Sequence, residues 1–404
     1  MKKGLFFFLA LNLYAFAAFS GGYQVRLQGQ KQTGAGLIGT PFAPDASSMF
    51  YNPGGLALVE GKFSLSAGVS GIMSHSVFQK EGTNYQANTE NPLSTPFYLY
   101  FSANIKDMFA VGIGVYTPFG SSVQWDEDWA GRYLIRDISL SAICIQPTVA
   151  YQYKGKFGIG AGFVYAIGNV ALNKALPYSD ESSVSLEGDA SNIGFNAGIF
   201  YRPVEKLSIG VSYRSKIMME LQEGDATFNV PSALSTAVPE NNKFSADLPL
   251  PANLDFGLAF QLTEKLLLAA EVNWVMWSAY ETLDFEFEES GELLNSQNPR
   301  QYKDSWITRL GGEYKLNDIF TFRAGIYYDP SPANEKYFTP ETVSLNNIAY
   351  TLGVSITPVK GLDIDISYLE IHGLEAEKTY EPDNFSGTYK NAAFIPGIGL
   401  HYRF

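Results

Sequence analysis

Ala393-Phe394-Ile395-Pro396-Gly397-Ile398-Gly399-Leu400-His401-Tyr402-Arg403-Phe404 ends the sequence, with Phe394, Ile398, Leu400, Tyr402 and Phe404 at alternating positions. A period of two puts that apolar set on one face of an extended strand. The pattern recurs upstream. Leu207, Ile209, Val211 and Tyr213 alternate with Ser208, Gly210, Ser212 and Arg214. Phe320, Phe322, Ala324, Ile326 and Tyr328 alternate with Thr321, Arg323, Gly325 and Tyr327, and Leu362, Ile364, Ile366 and Tyr368 with Asp363, Asp365 and Ser367.

Working outward from these, strand-like segments run over 62–79, 96–105, 109–118, 138–153, 157–172, 190–203, 207–221 and 243–262. They continue over 266–287, 305–316, 320–330, 347–358, 362–377 and 391–404. The links between them alternate. Short ones fall at Lys106-Asp107, Lys154-Gly155-Lys156, 203–206, 263–265, 315–318 and 358–361, and long ones at 80–95, 119–137, 173–189, 222–242, 288–304, 331–346 and 378–390. Tight turns at one rim and extended loops at the other describe an up-and-down membrane barrel. The expectation is an all-β fold, a 14-stranded antiparallel transmembrane β-barrel over 62–404. A water-soluble sandwich would carry the same alternation with the apolar set inside. The loop asymmetry, the last strand and the beginning of the chain favour lipid.

That beginning reads Met1, Lys2, Lys3, then an apolar run from Leu5 to Phe19 interrupted by Asn12, and Ala18-Phe19-Ser20 ahead of Gly21. A charged start, an apolar stretch and small residues at the cut describe a signal peptide over 1–20, cleaved near Ser20. After Gly21 no apolar run reaches helical-span length, so helical insertion is excluded. Cys144 is the lone cysteine, which leaves no disulfide framework. The 25 Tyr, 29 Phe and 38 Gly suit many short strands with aromatic girdles. A net charge of −13 argues against nucleic acid as a partner. Acidic runs such as Asp126-Glu127-Asp128 and Glu286 to Glu292 read as solvated loops, with bridging to lipopolysaccharide as the alternative. His75, His372 and His401 lack metal-ligand spacing, and no nucleophile-elbow, Walker or dinucleotide fingerprint occurs. The expectation is no enzyme, no cofactor and no metal. An alternating strand ending in Phe404 resembles the signal read by the barrel assembly machinery, so the expected location is the outer membrane of a Gram-negative bacterium, as a monomer.

Between the leader and the first strand, 21–61 does not read as strands. Asp45 can cap a short helix and Asn52-Pro53-Gly54 makes a turn. A compact segment of this size suits a hatch in the lumen, formed by short helices.

Four stretches give the chain a resemblance to the FadL family of outer-membrane long-chain fatty acid and hydrocarbon transporters. They are Asp45-Ala46-Ser47 through Phe50-Tyr51-Asn52-Pro53; Gly112 to Gly120 with Trp125 and Gly131-Arg132; Leu248-Pro249-Leu250-Pro251 through Asn273-Trp274 to Trp277-Ser278; and Thr321 to Gly325 with Tyr328-Asp329-Pro330-Ser331-Pro332. Gly54 departs from the pattern, standing where the family usually has Ala. The resemblance implies capture of a hydrophobic ligand in a loop groove, transfer to a pocket in the barrel, and release when the hatch shifts, with lateral escape beside a kinked third strand.

Candidate residues follow. Asp45, Phe50, Tyr51, Asn52, Pro53 and Gly54 are assigned to the hatch. Gly112, Gly114, Pro118 and Gly120 weaken ladder pairing and are candidates for a lateral opening. Phe228, Val230, Leu234 and Val238 are too apolar for a solvated loop and form either a capture groove or a cap packed on neighbouring loops. Arg309 and Arg323, then Arg214 and Lys216, are candidates for holding a ligand headgroup. The alternative is a salt-bridge network with Asp255, Glu271, Glu313, Asp363 and Asp365 that braces barrel to hatch. Two rival functions remain: a hydrophilic porin, and a barrel that binds or shuttles protein during secretion.

Overall fold

The computed structural model describes residues 22–106 and 108–404, so the expected signal peptide lies outside the described residues. Among these, fourteen antiparallel strands close on themselves. They are β1 Phe63–Ser70, β2 Phe97–Ile105, β3 Phe109–Gln124, β4 Asp137–Tyr153, β5 Phe157–Ala175, β6 Ser183–Val204 and β7 Leu207–Arg214. β8 Ala252–Gln261, β9 Leu266–Met276, β10 Ser305–Lys315, β11 Phe320–Asp329, β12 Asn347–Val359, β13 Leu362–Gly373 and β14 Phe385–Arg403 complete the wall. Each strand pairs with its successor, and β14 returns to β1 from Ser64↔Arg403 to Ser70↔Gly397.

The side chains fix which face meets lipid. On β2, Phe97, Leu99 and Phe101 are exposed outward while Tyr98, Tyr100 and Ser102 are buried inward. Gln146, Asn196, Asp255, Glu271, Asn273, Arg309, Asp365 and His401 are likewise buried on the inner side. An apolar exterior around a polar interior is the reverse of a soluble sandwich, and closure leaves no unpaired edge to face hydrocarbon. Aromatic residues mark both borders of the belt: Phe63, Phe404 and Tyr402 cluster at the short-turn rim, and Trp274 stacks on Trp306 at 5.3 Å toward the loops.

Several strands differ from their sequence reading. β7 breaks at Ser215-Lys216, where Ser215 bonds across to Phe195, and then continues as Ile217–Asn229 through what reads as loop. Asn241–Leu250 leads into β8 but is parted from it by Pro251, which has no N–H for the ladder. β9 ends at Met276 in a tight turn, well short of 287, and β6 begins at Ser183 rather than 190. Met73–Lys80, Ala376–Tyr380 and Glu286–Phe287 add pairing beyond the belt. Under the loops, Phe78, Trp125, Trp129, Phe228, Phe244 and Tyr389 form a second apolar core.

Residues 22–60 pack within the ring of strands. Their helices α1 Gln30–Gly34 and α2 Ser48–Tyr51, and the 3-10 turn Pro53–Leu58, are almost wholly buried. Room for them comes from inward-facing glycines. A Cβ added at Gly158, Gly160, Gly198, Gly210, Gly257, Gly311, Gly325 or Gly353 would fall under 3.0 Å from this segment. Seven strands thus let the segment's main chain approach the wall more closely than any larger residue allows.

Candidate functional site

Polar contacts as well as shape hold the N-terminal segment. Arg26 reaches Asp255 at 2.9 Å and Glu271 at 2.8 Å. The second Glu271 oxygen accepts the N–H groups of Gly39 and Thr40 at 3.1 and 2.9 Å. Lys31 donates to Asp363 at 2.6 Å and lies 3.0 Å from His401 Nδ1. Around that pair, burial alone would drive the Lys31 ammonium down and the Asp45 carboxyl up. The field of Asp365, Asp45 and Asp363 outweighs burial for Lys31, and that of Lys31 and His401 with bonds from Ser47 does so for Asp45. Lys31 therefore sits above, and Asp45 below, its ordinary value, and both stay charged.

The hatch candidates are fixed by further contacts, and Asp45 and Tyr51 reach the Lys31 and Arg26 sites themselves. Asn52 donates to the carbonyls of Thr40 and Ile199 at 2.8 and 3.0 Å and accepts from Gly54 N, capping the 3-10 turn that Pro53 opens. Asp45 accepts the Ser47 N–H at 2.9 Å. The Tyr51 hydroxyl donates to Arg26 O at 2.8 Å. Phe50 lies edge-on to Tyr116 at 5.2 Å.

The four headgroup candidates have distinct surroundings. Arg309 meets Glu271 at 3.3 Å, and Arg323 meets Glu313 at 2.7 Å and Ser355. Arg214 donates to Tyr116 Oη and Phe50 O, with its guanidinium 4.4 Å over the Phe50 ring. Lys216, expected to point inward with Arg214, is exposed because the break at Ser215-Lys216 interrupts the alternation.

The third strand is interrupted at Thr117-Pro118. β2 pairs with β3 only as far as Tyr98↔Tyr116, and the β3–β4 register slips between Tyr116 and Phe119. From the inside, Val25 N bonds Pro118 O at 2.8 Å and Gly120 N bonds Tyr23 O at 2.9 Å. Residues 23–25 therefore lie along the part of β3 that β2 leaves unpaired. Gly112 and Gly114 belong to the paired part, where a side chain would strike Met49 and Tyr100 respectively.

Above the segment lies an apolar cavity of about 80 Å³ among β3 to β6, the stretches Ile217–Asn229 and Asn241–Leu250, and the loops. Tyr23, Phe119, Leu140, Met219, Leu221 and Phe244 line it, and Glu341 is its only charged lining residue. Glu341 is itself bound to Arg300 at 2.6 Å. Of the capture-groove candidates, Phe228 and Val238 are buried in the loop-side core, and Val230 packs against it; Leu234 is half-buried.

Sequence reading did not pick out the glycine seats or the role of residues 23–25. The glycines carried a usable signal, since they recur at inward parity on successive strands. Tyr23 carried none, because its neighbours are fixed only by folding.

A family model described as outer membrane protein transport protein (OMPP1/FadL/TodX) matches residues 11–404. Outer membrane protein P1 of Haemophilus influenzae is 26% identical over 367 residues, 80% of this chain and 78% of that protein. The long-chain fatty acid transport protein of Escherichia coli strain K12 is 21% identical, covering 98% of this chain and 97% of its own. Among solved structures, a Pseudomonas aeruginosa FadL homologue aligns with a TM-score of 0.81 at 20% identity over 95% of this chain and 100% of that one. The Ralstonia pickettii toluene transporter TbuX aligns at 0.72 and 20% identity, covering 93% and 98%.

Proposed function

Because the chain belongs to the OMPP1/FadL/TodX family of outer-membrane transport proteins, we propose that it takes up long-chain fatty acids or similar lipids by passive diffusion, with residues 22–60 as the hatch and the interval beside Pro118 as a lateral exit. At the family level it is an outer-membrane transporter of hydrophobic compounds. The observation that carries the finer reading is the apolar cavity set above a lumen filled by the N-terminal segment. A water-filled pore offers hydrocarbon nothing, whereas burial gives about 0.8 kcal/mol per methylene. Relatives named for long-chain fatty acid and toluene transport support a hydrophobic cargo.

The cavity is smaller than the roughly 150 Å³ that admits benzene in an engineered core, so a long ligand must displace side chains on entry. Tyr23 is among them. Because Tyr23 is tied to β3 at Gly120, its movement would disturb both the hatch and the unpaired stretch of β3. Filling of the lumen also counts against a hydrophilic porin.

Cells lacking their own uptake system and expressing this chain should accumulate labelled oleate or a labelled long-chain hydrocarbon saturably. Passage of sugars and ions with neither hydrophobe taken up would replace this reading with the porin one.

A further inference from the structure

A second cavity, about 50 Å³, lies across residues 22–25 from the apolar one. Tyr23 and Phe119 face the first cavity, while Gly22, Gln24, Val25 and Gly120 face the second. The ribbon made by residues 22–25 and β3 is thus the partition between an apolar compartment and one that carries Gln24, Arg26, Asn273, Arg309, Tyr327 and Asp329 among aliphatic residues. Arg309 and Tyr327 are both only 3% exposed. The Tyr327 hydroxyl and Arg309 Nε have no hydrogen-bond partner within the protein. Burying donors unused is costly because their desolvation goes uncompensated, and a ligand acceptor would recover that loss.

The charges beside them decide what kind of acceptor. Arg26 and Arg309 face the carboxyl groups of Asp255, Glu271 and Asp329, so three acidic groups stand against two guanidiniums. No surplus positive charge is left for an incoming anion, and the apolar compartment adds only Glu341. Arg214, the lumen guanidinium bonded to Tyr116 and Phe50, lines neither cavity.

We propose that Arg309 and Tyr327 form a head subsite for an uncharged hydrogen-bonding group, a hydroxyl or carbonyl, whose hydrocarbon tail occupies the apolar cavity once the ribbon at residues 22–25 yields. The route then favours long-chain alcohols, ketones, esters and fatty acids in their protonated form over the ionised carboxylate of equal length. This rests on the reading that hydrophobic compounds pass through the lumen.

The test is equilibrium binding of dodecanol, dodecanoate and dodecane to the mature protein in lipid nanodiscs, corrected for uptake by empty nanodiscs, at a pH of about 8, where the acid is ionised. Dodecanol should bind about ten-fold more tightly than dodecanoate, a difference of roughly 1.4 kcal/mol. Tyr327→Phe should cost several-fold for dodecanol and nothing for dodecane. Dodecanoate binding as well as or better than dodecanol would overturn the proposal, the more so if Arg214→Gln abolished it, as would a Tyr327→Phe protein with unchanged dodecanol affinity. If none of the three bound saturably, the transport reading itself would fall, and this subsite with it.

Discussion

Glu271 joins more of the N-terminal segment to the wall than any single contact its sequence suggested. One oxygen takes Arg26 and Arg309, and the other takes two main-chain N–H groups at Gly39 and Thr40. Glu271→Gln keeps the shape and removes the charge, leaving two buried guanidiniums with less compensation. Losing one partner of a buried pair costs about 3–5 kcal/mol. The urea midpoint of the purified barrel should fall accordingly, and single-channel recordings should show ion bursts that the parent lacks. Gly325 makes the complementary case, because an added Cβ would lie 2.4 Å from Gly36 N. Gly325→Val should yield a barrel that still resists denaturation in unheated gel samples but conducts ions continuously. The parity that turns Gly325 and Glu271 inward was readable from the period of two. Their partners were not, since those depend on how a non-strand segment threads the closed ring.

Among the elements, β3 joins a wall function to the proposed exit. Pro118 has no N–H, and the register slip beside it leaves Phe119 onward without a β2 partner. A paired Pro118→Val and Gly120→Val change supplies the donor and the β-branched bulk that favour continuous pairing. Uptake of labelled hydrophobe should drop several-fold while the amount of folded barrel in the outer membrane stays level. Unchanged uptake would move the exit elsewhere. Here the sequence was informative in part: Pro118 and Gly120 fall where β2 pairing stops, whereas Gly112 and Gly114 sit in the paired ladder. It was less so at β7 and β8, where Lys216 turned outward and Pro251 split a continuous run, because a one-residue irregularity flips every later side chain and leaves no separate mark in composition. The loop-side residues Phe228 and Val238 show the same limit. Their apolarity was plain, but whether they faced a groove or a core depended on Phe244, Trp129 and Tyr389 arriving from distant loops.

For the whole molecule, the apolar belt and the N-terminal segment lie on opposite faces of the same strands. The belt is made by residues such as Leu99, Phe101, Leu310 and Leu352, whose side chains are exposed on the outer face, and strand closure satisfies the main chain without the segment. Removing residues 22–60 should therefore leave an inserted barrel, though a weaker one, because Glu271, Asp255 and Asp363 lose their cationic partners from the segment. Those acids would then line an open lumen and hydrate. The deletion protein should pass small sugars and ions with a preference for cations, and it should lose saturable hydrophobe uptake even though the strands that line the apolar cavity remain. Conductance in planar bilayers and swelling of sugar-loaded proteoliposomes measure the first outcome, and labelled uptake the second. A deletion protein that stays closed to ions would mean that the loops, and not the N-terminal segment, seal the barrel. Retained saturable uptake with an open lumen would show that the segment only blocks water and takes no part in handing the ligand on.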